Sequence, residues 1–275
     1  MHPFDEAIDL RASALADAPH EFTGATHPAY ANMVGPFGGT TSAQLLQSAM
    51  LHPERLGEPV ALTVNFAAPV ADGDIRFVAR PVRTNRSTQH WNVSILQTDA
   101  QGESVVTTTA TAVTAARRET WSMADTPMPA VPRPDTLESV GSVSGVEWFN
   151  RYDIRPVTGA IPRQWNGQGD SSLTQLWMRD TPQRPLDFCS LAALADVFFP
   201  RVWLRRALPV PAGTVSITVY FHAGSGQLQE TGAGFLLGQA RAQEFRNGFF
   251  DQAVQLWNEA GSLLATSHQI VYYKE

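Results

Sequence analysis

Cysteine is nearly absent from this chain of 275 residues, where Cys189 stands alone. An intramolecular disulfide is therefore excluded, and with it the stapled framework of a small secreted domain. Basic residues are also scarce: 20 Lys and Arg face 26 Asp and Glu, a formal charge of −6. That balance argues against a broad nucleic-acid surface, which needs a basic patch. No apolar run approaches the ~20 residues of a membrane span. The N-terminus, Met1 to Glu6, lacks the basic start and apolar core of a signal peptide. A soluble cytoplasmic protein is expected, with no nucleic-acid and no membrane partner.

Two catalytic signatures are missing as well. There is no Gly-x-Ser-x-Gly elbow to raise a nucleophilic serine. His52, His90, His222 and His268 show no metal-ligand spacing and no cysteine accompanies them, so no metal site is expected.

What is present is globular composition, 43% hydrophobic and 17% charged, and a sequence that repeats itself. Pro59-Val60-Ala61-Leu62-Thr63-Val64-Asn65-Phe66 is echoed by Thr214-Val215-Ser216-Ile217-Thr218-Val219-Tyr220-Phe221. In each copy a turn follows, at 99–102 and 258–261, and then a last strand in which Thr108 matches Thr266. A register held over half a chain means two related folding units in tandem.

Strands are expected at 60–66, 75–83, 90–98 and 104–113, and again at 215–222, 235–245, 250–258 and 263–273, where Val, Thr, Ile and aromatics dominate. A Gly-rich loop is expected at 224–234. One apolar helix precedes each set. The first spans 39–51, with Thr40, Thr41 and Ser42 as possible caps. The second is capped by Asp187, continues through Phe198 and stops at Pro200. A further strand pair is expected around 146–154 and 172–179, with 22–33 as its first-half counterpart. Residues 117–134 carry Pro127, Pro129, Pro132 and Pro134 and few apolar anchors, an extended linker. The division is 1–116, a linker at 117–145, and 146–275. Strands with one helix segregated to a face give an α+β class. Two matching sheets are expected to fuse into one, which removes exposed edges, rather than to hang on a tether.

Gly35-Pro36-Phe37-Gly38-Gly39, the Asn65-Phe66 strand, Leu194-Ala195-Asp196, the strand from Thr214 to His222 and Ala265-Thr266-Ser267-His268-Gln269 together resemble the double hotdog of the acyl-CoA thioesterase II family. The similarity covers nearly all of the chain outside the linker. It implies a long helix wrapped by a curved antiparallel sheet, twice, and hydrolysis of fatty acyl-CoA thioesters to free acid and CoA with no metal or cofactor. By position, the family's catalytic aspartate, threonine and glutamine fall on Asp196, Thr214 and Gln269, which would hold and activate one water. A homodimer or larger assembly is implied by the resemblance alone. The segments 197–200 and 270–273 depart from the family's usual ones, which bears on chain length rather than reaction.

Asp196 stands out on its own chemistry. On a helix its neighbours would be Cys189, Ala192, Ala193 and Phe199, so the carboxylate would be desolvated, its pKa raised and its use as a base favoured. Thr214 and Gln269 are neutral hydrogen-bonding groups suited to positioning a water. Gly38 and Gly39 serve either a tight turn or the close approach of a thioester oxygen to unpaired helix N–H groups. Leu46, Met50, Leu194 and Phe198 are expected to line an acyl channel between the helices. Candidates for CoA phosphates are Arg201, Arg205 and Arg206, or Arg80, Arg83 and Arg86. His222 ends the Thr214 strand near the expected site, whereas His268 alternates away from it. Cys189 is expected in the core.

The first unit does not repeat the chemistry: Pro59 stands for Thr214, Thr111 for Gln269, and Leu45 to Gln47 for Asp196. One site per chain is expected. A non-hydrolytic acyl-CoA or acyl-carrier binding protein is the alternative. An enoyl-CoA hydratase is less favoured, since position 201, where its histidine would stand, is Arg201.

Overall fold

The structure is a computed structural model that describes residues 1–14, 18–142 and 145–275. Residues 15–17 of the expected first unit and 143–144 of the expected linker lie outside the described residues.

The first half contains α1 (Pro3–Ala7), β1 (Arg11–Ala12), β2 (Glu21–Ala25), α2 (Gly38–Leu51), β3 (Glu58–Phe66), β4 (Asp74–Thr84), β5 (Thr88–Thr98) and β6 (Ser104–Ala115). The second contains β7 (Tyr152–Thr158), β8 (Thr174–Asp180), α3 (Phe188–Leu194), α4 (Arg201–Arg206), β9 (Ala212–Phe221), α5 (Ser225–Thr231), β10 (Leu236–Arg241), β11 (Phe245–Arg246), β12 (Phe249–Asn258) and β13 (Leu263–Tyr273). The expected strands are thus present, with differences at their ends. Residues 147–151 form a 3-10 turn rather than strand, as do 28–30. The Gly-rich stretch 224–234 holds α5. The 235–245 strand breaks where Asp251 accepts the N–H groups of Gln243 and Glu244.

All the strands join one sheet, in the order β1-β2-β4-β5-β6-β3-β9-β13-β12-β10-β8-β7, with β11 beside β12. The order reads as its own mirror image about the β3–β9 seam. At that seam Thr63 is paired with Thr218, and their hydroxyls meet at 3.0 Å. Two equivalent residues face each other, as a local two-fold axis demands. The edges that each half would expose are thereby consumed.

β3 and β9 carry the same bulge, since Val60 and Val215 are both skipped by their partners. Through it Pro59 does occupy the place of Thr214. The other expected match fails by one residue. The ladders put Thr63 against Thr111 and Thr218 against His268, so Ala112, not Thr111, corresponds to Gln269. A slip of one residue turns a side chain to the opposite face. Ala112 is accordingly buried and Thr111 exposed.

α2 is buried on nearly all sides, from Gly39 to Ala49 except Gln47. Such a helix must satisfy its own polar side chains. Thr41 and Ser42 therefore donate back to Phe37 O and Gly38 O (3.3 and 2.9 Å) rather than capping the start. Gln44 reaches Ala7 O and Ala25 O. No side chain caps this helix.

α3 packs against α2 across the seam. It begins with a reciprocal Asp187–Ser190 capping box but ends at Leu194, earlier than its apolar pattern suggested. Pro200 disfavours helical backbone at Phe199, and the buried Arg201 guanidinium takes the Phe199 carbonyl as its acceptor. Residues 195–200 consequently form a turn.

The stretch after Ala115 is better anchored than its composition suggests. Arg117 donates to Pro59 O and Phe221 O at the seam. Met128, Val131 and Leu137 pack on Trp177, Phe235, Leu237 and Trp257. The indoles of Trp177 and Trp257 donate to Pro132 O and Thr126 O. Among the described residues no helix is long and apolar enough to cross a membrane.

Candidate active site

Asp196 lies in the turn just past α3, not on the helix, with its N–H bonded to Ala193 O at 3.0 Å. This turn lays the carboxylate against the start of α2. A Cβ on Gly38 would stand 2.8 Å from Asp196 Oδ2 and 3.4 Å from the Phe66 ring. A Cβ on Gly39 would collide with the Phe37 ring and with Ala193 O. Both glycines are therefore required by close approach, and the first-unit helix start does face the second-unit aspartate.

Among the described residues Gln269 supplies the one side-chain hydrogen bond to the carboxylate, Nε2 to Oδ1 at 2.7 Å. The Gly39 amide aims at the same group in a looser geometry and favours its charged form. Asp196 keeps partial access to solvent. Packed protein atoms nevertheless desolvate it, and this outweighs both donors and pushes its pKa up to about 7. A carboxyl that titrates near neutrality is matched to general-base work.

Alternation along β13 places Gln269 inward, 3% exposed, while His268 faces outward and meets Asp251. Thr214 pairs with Val271, two residues from Gln269 on the same inner face, so it is the diagonal neighbour of Gln269. Among the described residues its hydroxyl makes no hydrogen bond to Asp196. Asp196, Gln269, Gly38 and Gly39 are thus brought together, and Thr214 stands beside them.

The other candidates divide. Leu46 and Leu194 are fully buried, Phe198 fits against Gly238, and Met50 packs on the same core. Cys189 is core, as expected, with its thiol on Gln47 Oε1 at 3.3 Å. Arg201 is corrected: at 0% exposure it meets no phosphate. It bonds Ser172 O, Thr174 Oγ1 and Phe199 O instead, and burial lowers its pKa to about 9. Arg206 pairs with Glu275, and Arg205 donates to Gly169 O. His222 is exposed and bonds Thr266. Phe37, quoted in the glycine motif but not expected as a site residue, stacks on Trp148 at 4.2 Å and walls the helix start. Its place beside two glycines was the available signal.

The N-terminal domain of acyl-CoA thioesterases matches residues 27–115, and their C-terminal domain matches residues 124–273. The chain belongs to the acyl-CoA thioesterase family. A hot dog fold protein of unknown function from Alicyclobacillus acidocaldarius is 44% identical to this family member, with a TM-score of 0.91 over 100% of this chain and 99% of the other. An acyl-CoA thioesterase II from Mycobacterium marinum is 20% identical, with a TM-score of 0.76 over 98% of each chain. The dehydratase domain of RzxB from Pseudomonas fluorescens is 12% identical, with a TM-score of 0.53 over 93% and 94% of the two chains. The fold is thus shared with proteins named for two different reactions, and fold alone does not set the reaction. No curated protein sequence matches this chain.

Proposed function

We propose that this acyl-CoA thioesterase family member hydrolyses acyl-CoA thioesters by direct attack of a water that Asp196 deprotonates. The observation that carries the reading is the Gln269–Asp196 hydrogen bond at the open start of α2. Its amide nitrogen bound, Gln269 has its carbonyl oxygen left to accept from the water, and the neighbouring Thr214 hydroxyl is the further positioning group. The water oxygen bonds to the acyl carbon while its proton passes to Asp196. The thioester oxygen, now negative, is met by the Gly38 amide and by the Gly39 amide as Asp196, now protonated, releases it, where the helix end carries partial positive charge. The C–S bond then breaks with its electron pair on sulfur, and the Asp196 proton passes to the departing thiolate. The acyl chain would lie along Leu46, Met50, Leu194 and Phe198, and the substrate needs no metal or cofactor for these steps.

The test is release of CoA from acyl-CoAs of graded length by the wild type and by Asp196→Asn. Loss of the general base should lower kcat on the order of 10²-fold or more. Equal rates would sink the assignment. Tight acyl-CoA binding with no CoA release by the wild type would favour a binding protein.

A further inference from the structure

Behind the site lie three buried polar atoms that have no hydrogen-bond partner among the described residues: the hydroxyls of Tyr30 and Tyr152 and Oδ1 of Asp180. The residues are 0%, 4% and 3% exposed, respectively. They come from both units. Tyr30 closes the 3-10 turn Pro28–Tyr30. Tyr152 and Asp180 are directly opposed on β7 and β8, so both side chains leave the sheet on one face. The two tyrosine rings meet edge to face at 6.4 Å. Such groups are costly to leave dry, and three together form a polar setting that suits ordered water.

The charges around them do not neutralise Asp180. The cation that acts on it, Arg184, is already held by Asp5 and Asp187. Those two carboxylates oppose its ionisation, and burial dominates, so its pKa rises to about 7, level with that of Asp196. Arg151, beside Tyr30, is the remaining charged neighbour of the cluster. Tyr152 is held neutral by burial and by the fields of Tyr30, Asp180 and Asp196. Its ring lies 6.2 Å from that of Phe37, the residue before Gly38. The cluster therefore adjoins the start of α2, which Asp196 faces.

We propose that Tyr152, Tyr30 and Asp180 form a hydrated proton relay that leads away from Asp196. The inference rests on the hydrolytic reading above. Hydrolysis of one thioester by one water yields a thiol and a carboxylic acid, and the acid ionises, so each turnover leaves one proton beside Asp196 while products still occupy the entrance. That proton passes from the product hydroxyl to Asp196, and from Asp196 through Tyr152 and water to Asp180. Asp196 is then a base for the next turnover. Asp5 and Asp187, 41% and 44% exposed, provide the outlet to solvent.

The test uses Tyr152→Phe, Asp180→Asn and the double variant, assayed for acyl-CoA hydrolysis across pH in H2O and D2O. The expected result is a kcat about tenfold lower in each single variant, with KM little changed, an altered pH profile, and a double variant no worse than the worse single. Unchanged kcat and pH profiles in folded variants would overturn the relay. If Asp180→Asn fails to fold, Tyr152→Phe, which removes one oxygen, decides alone. Infrared titration of protonated carboxyls gives a readout that needs no turnover. The wild type should show two carboxyls titrating near neutrality, and Asp180→Asn should move the midpoint of Asp196. An unmoved midpoint overturns the coupling. Absence of hydrolysis in the wild type fails the hydrolytic reading instead.

Discussion

Where α2 begins, no side chain caps the helix, two glycines follow, and the Asp196 carboxylate from the other unit lies across them. Where α3 begins, Asp187 and Ser190 close a capping box, Arg184 clamps Asp187, and Cys189 meets a neutral amide, Gln47, from the other unit. The two ends are related by the seam that pairs Thr63 with Thr218. Gly39 and Cys189 are the second residues of their helices, and Gln47 lies beside the position that matches Asp196. One end is closed with the groups that stabilise a helix, a cap worth about 1 kcal/mol. The other forgoes that cap, and its amides face a carboxylate and whatever enters beside it. Duplication made two junctions, and only the uncapped one presents a base.

The contrast breaks most sharply at Gly38. An alanine there would put a methyl carbon 2.8 Å from Asp196 Oδ2, with the backbone of a buried helix behind it, so the carboxylate must move. A displacement of about 1 Å in a catalytic group can cost about 10²-fold in rate. Gly38→Ala should therefore lose kcat on that order, checked by steady-state acyl-CoA hydrolysis, while its melting temperature changes little by comparison. Retention of full activity would show that the approach of helix and carboxylate is packing alone.

The same end should set the pH profile. Asp196 acts as a base only when ionised, and its pKa of about 7 means that the rate falls roughly tenfold per pH unit below neutrality and levels off above it. The stability contribution has the opposite slope. Because the folded state holds this proton more tightly than the unfolded chain does, the contribution is present below pH 3.8 and is lost as pH rises to about 7. Rate and denaturant-unfolding profiles over pH 5 to 9, recorded for the wild type and for Asp196→Asn, would show both.

Much of this contrast was legible in the residues. The order Asp196, Thr214, Gln269 and the alternation that sends Gln269 inward and His268 outward follow from motif and period. The glycines at 38 and 39 were legible as close-approach positions, though not which carboxylate oxygen they meet. What was not legible depends on register and distance. The Thr111 assignment failed because matching threonines, Thr108 and Thr266, suggested an alignment one residue off the paired ladders, and one residue is a change of face. The early end of α3 is not marked by its apolar pattern, which runs on through Phe198 while the helix stops at Leu194. Arg201 read as surface because its acceptors, at positions 172, 174 and 199, are brought together by the fold. Tyr30, Tyr152 and Asp180 share no spacing at all.

At the closed end the expected effect is smaller and purely structural. Ser190→Ala removes the hydroxyl that accepts the Asp187 N–H at 3.1 Å and leaves Arg184 clamped on Asp187. The loss should be about 1 kcal/mol in urea unfolding, with kcat per folded molecule unchanged. A large drop in kcat would mean that the two junctions are coupled through the α2–α3 contact, and the division into a stabilising end and a reactive end would fall.

The smallest effect belongs to the axis itself. Thr63 and Thr218 are partly buried, and each offers its hydroxyl to the other across the seam. The main-chain ladder from Ala61–Tyr220 to Asn65–Ser216 surrounds that contact and does not depend on it. Thr63→Val and Thr218→Val should each cost about 0.5–1 kcal/mol. The double variant should cost less than the two singles together, because either one already leaves the opposite hydroxyl without its partner. Strict additivity would mean that solvent satisfies both hydroxyls. In that case the halves would be joined by backbone pairing and by the helix contact alone, and the mirror symmetry of the sheet would owe nothing to the paired threonines.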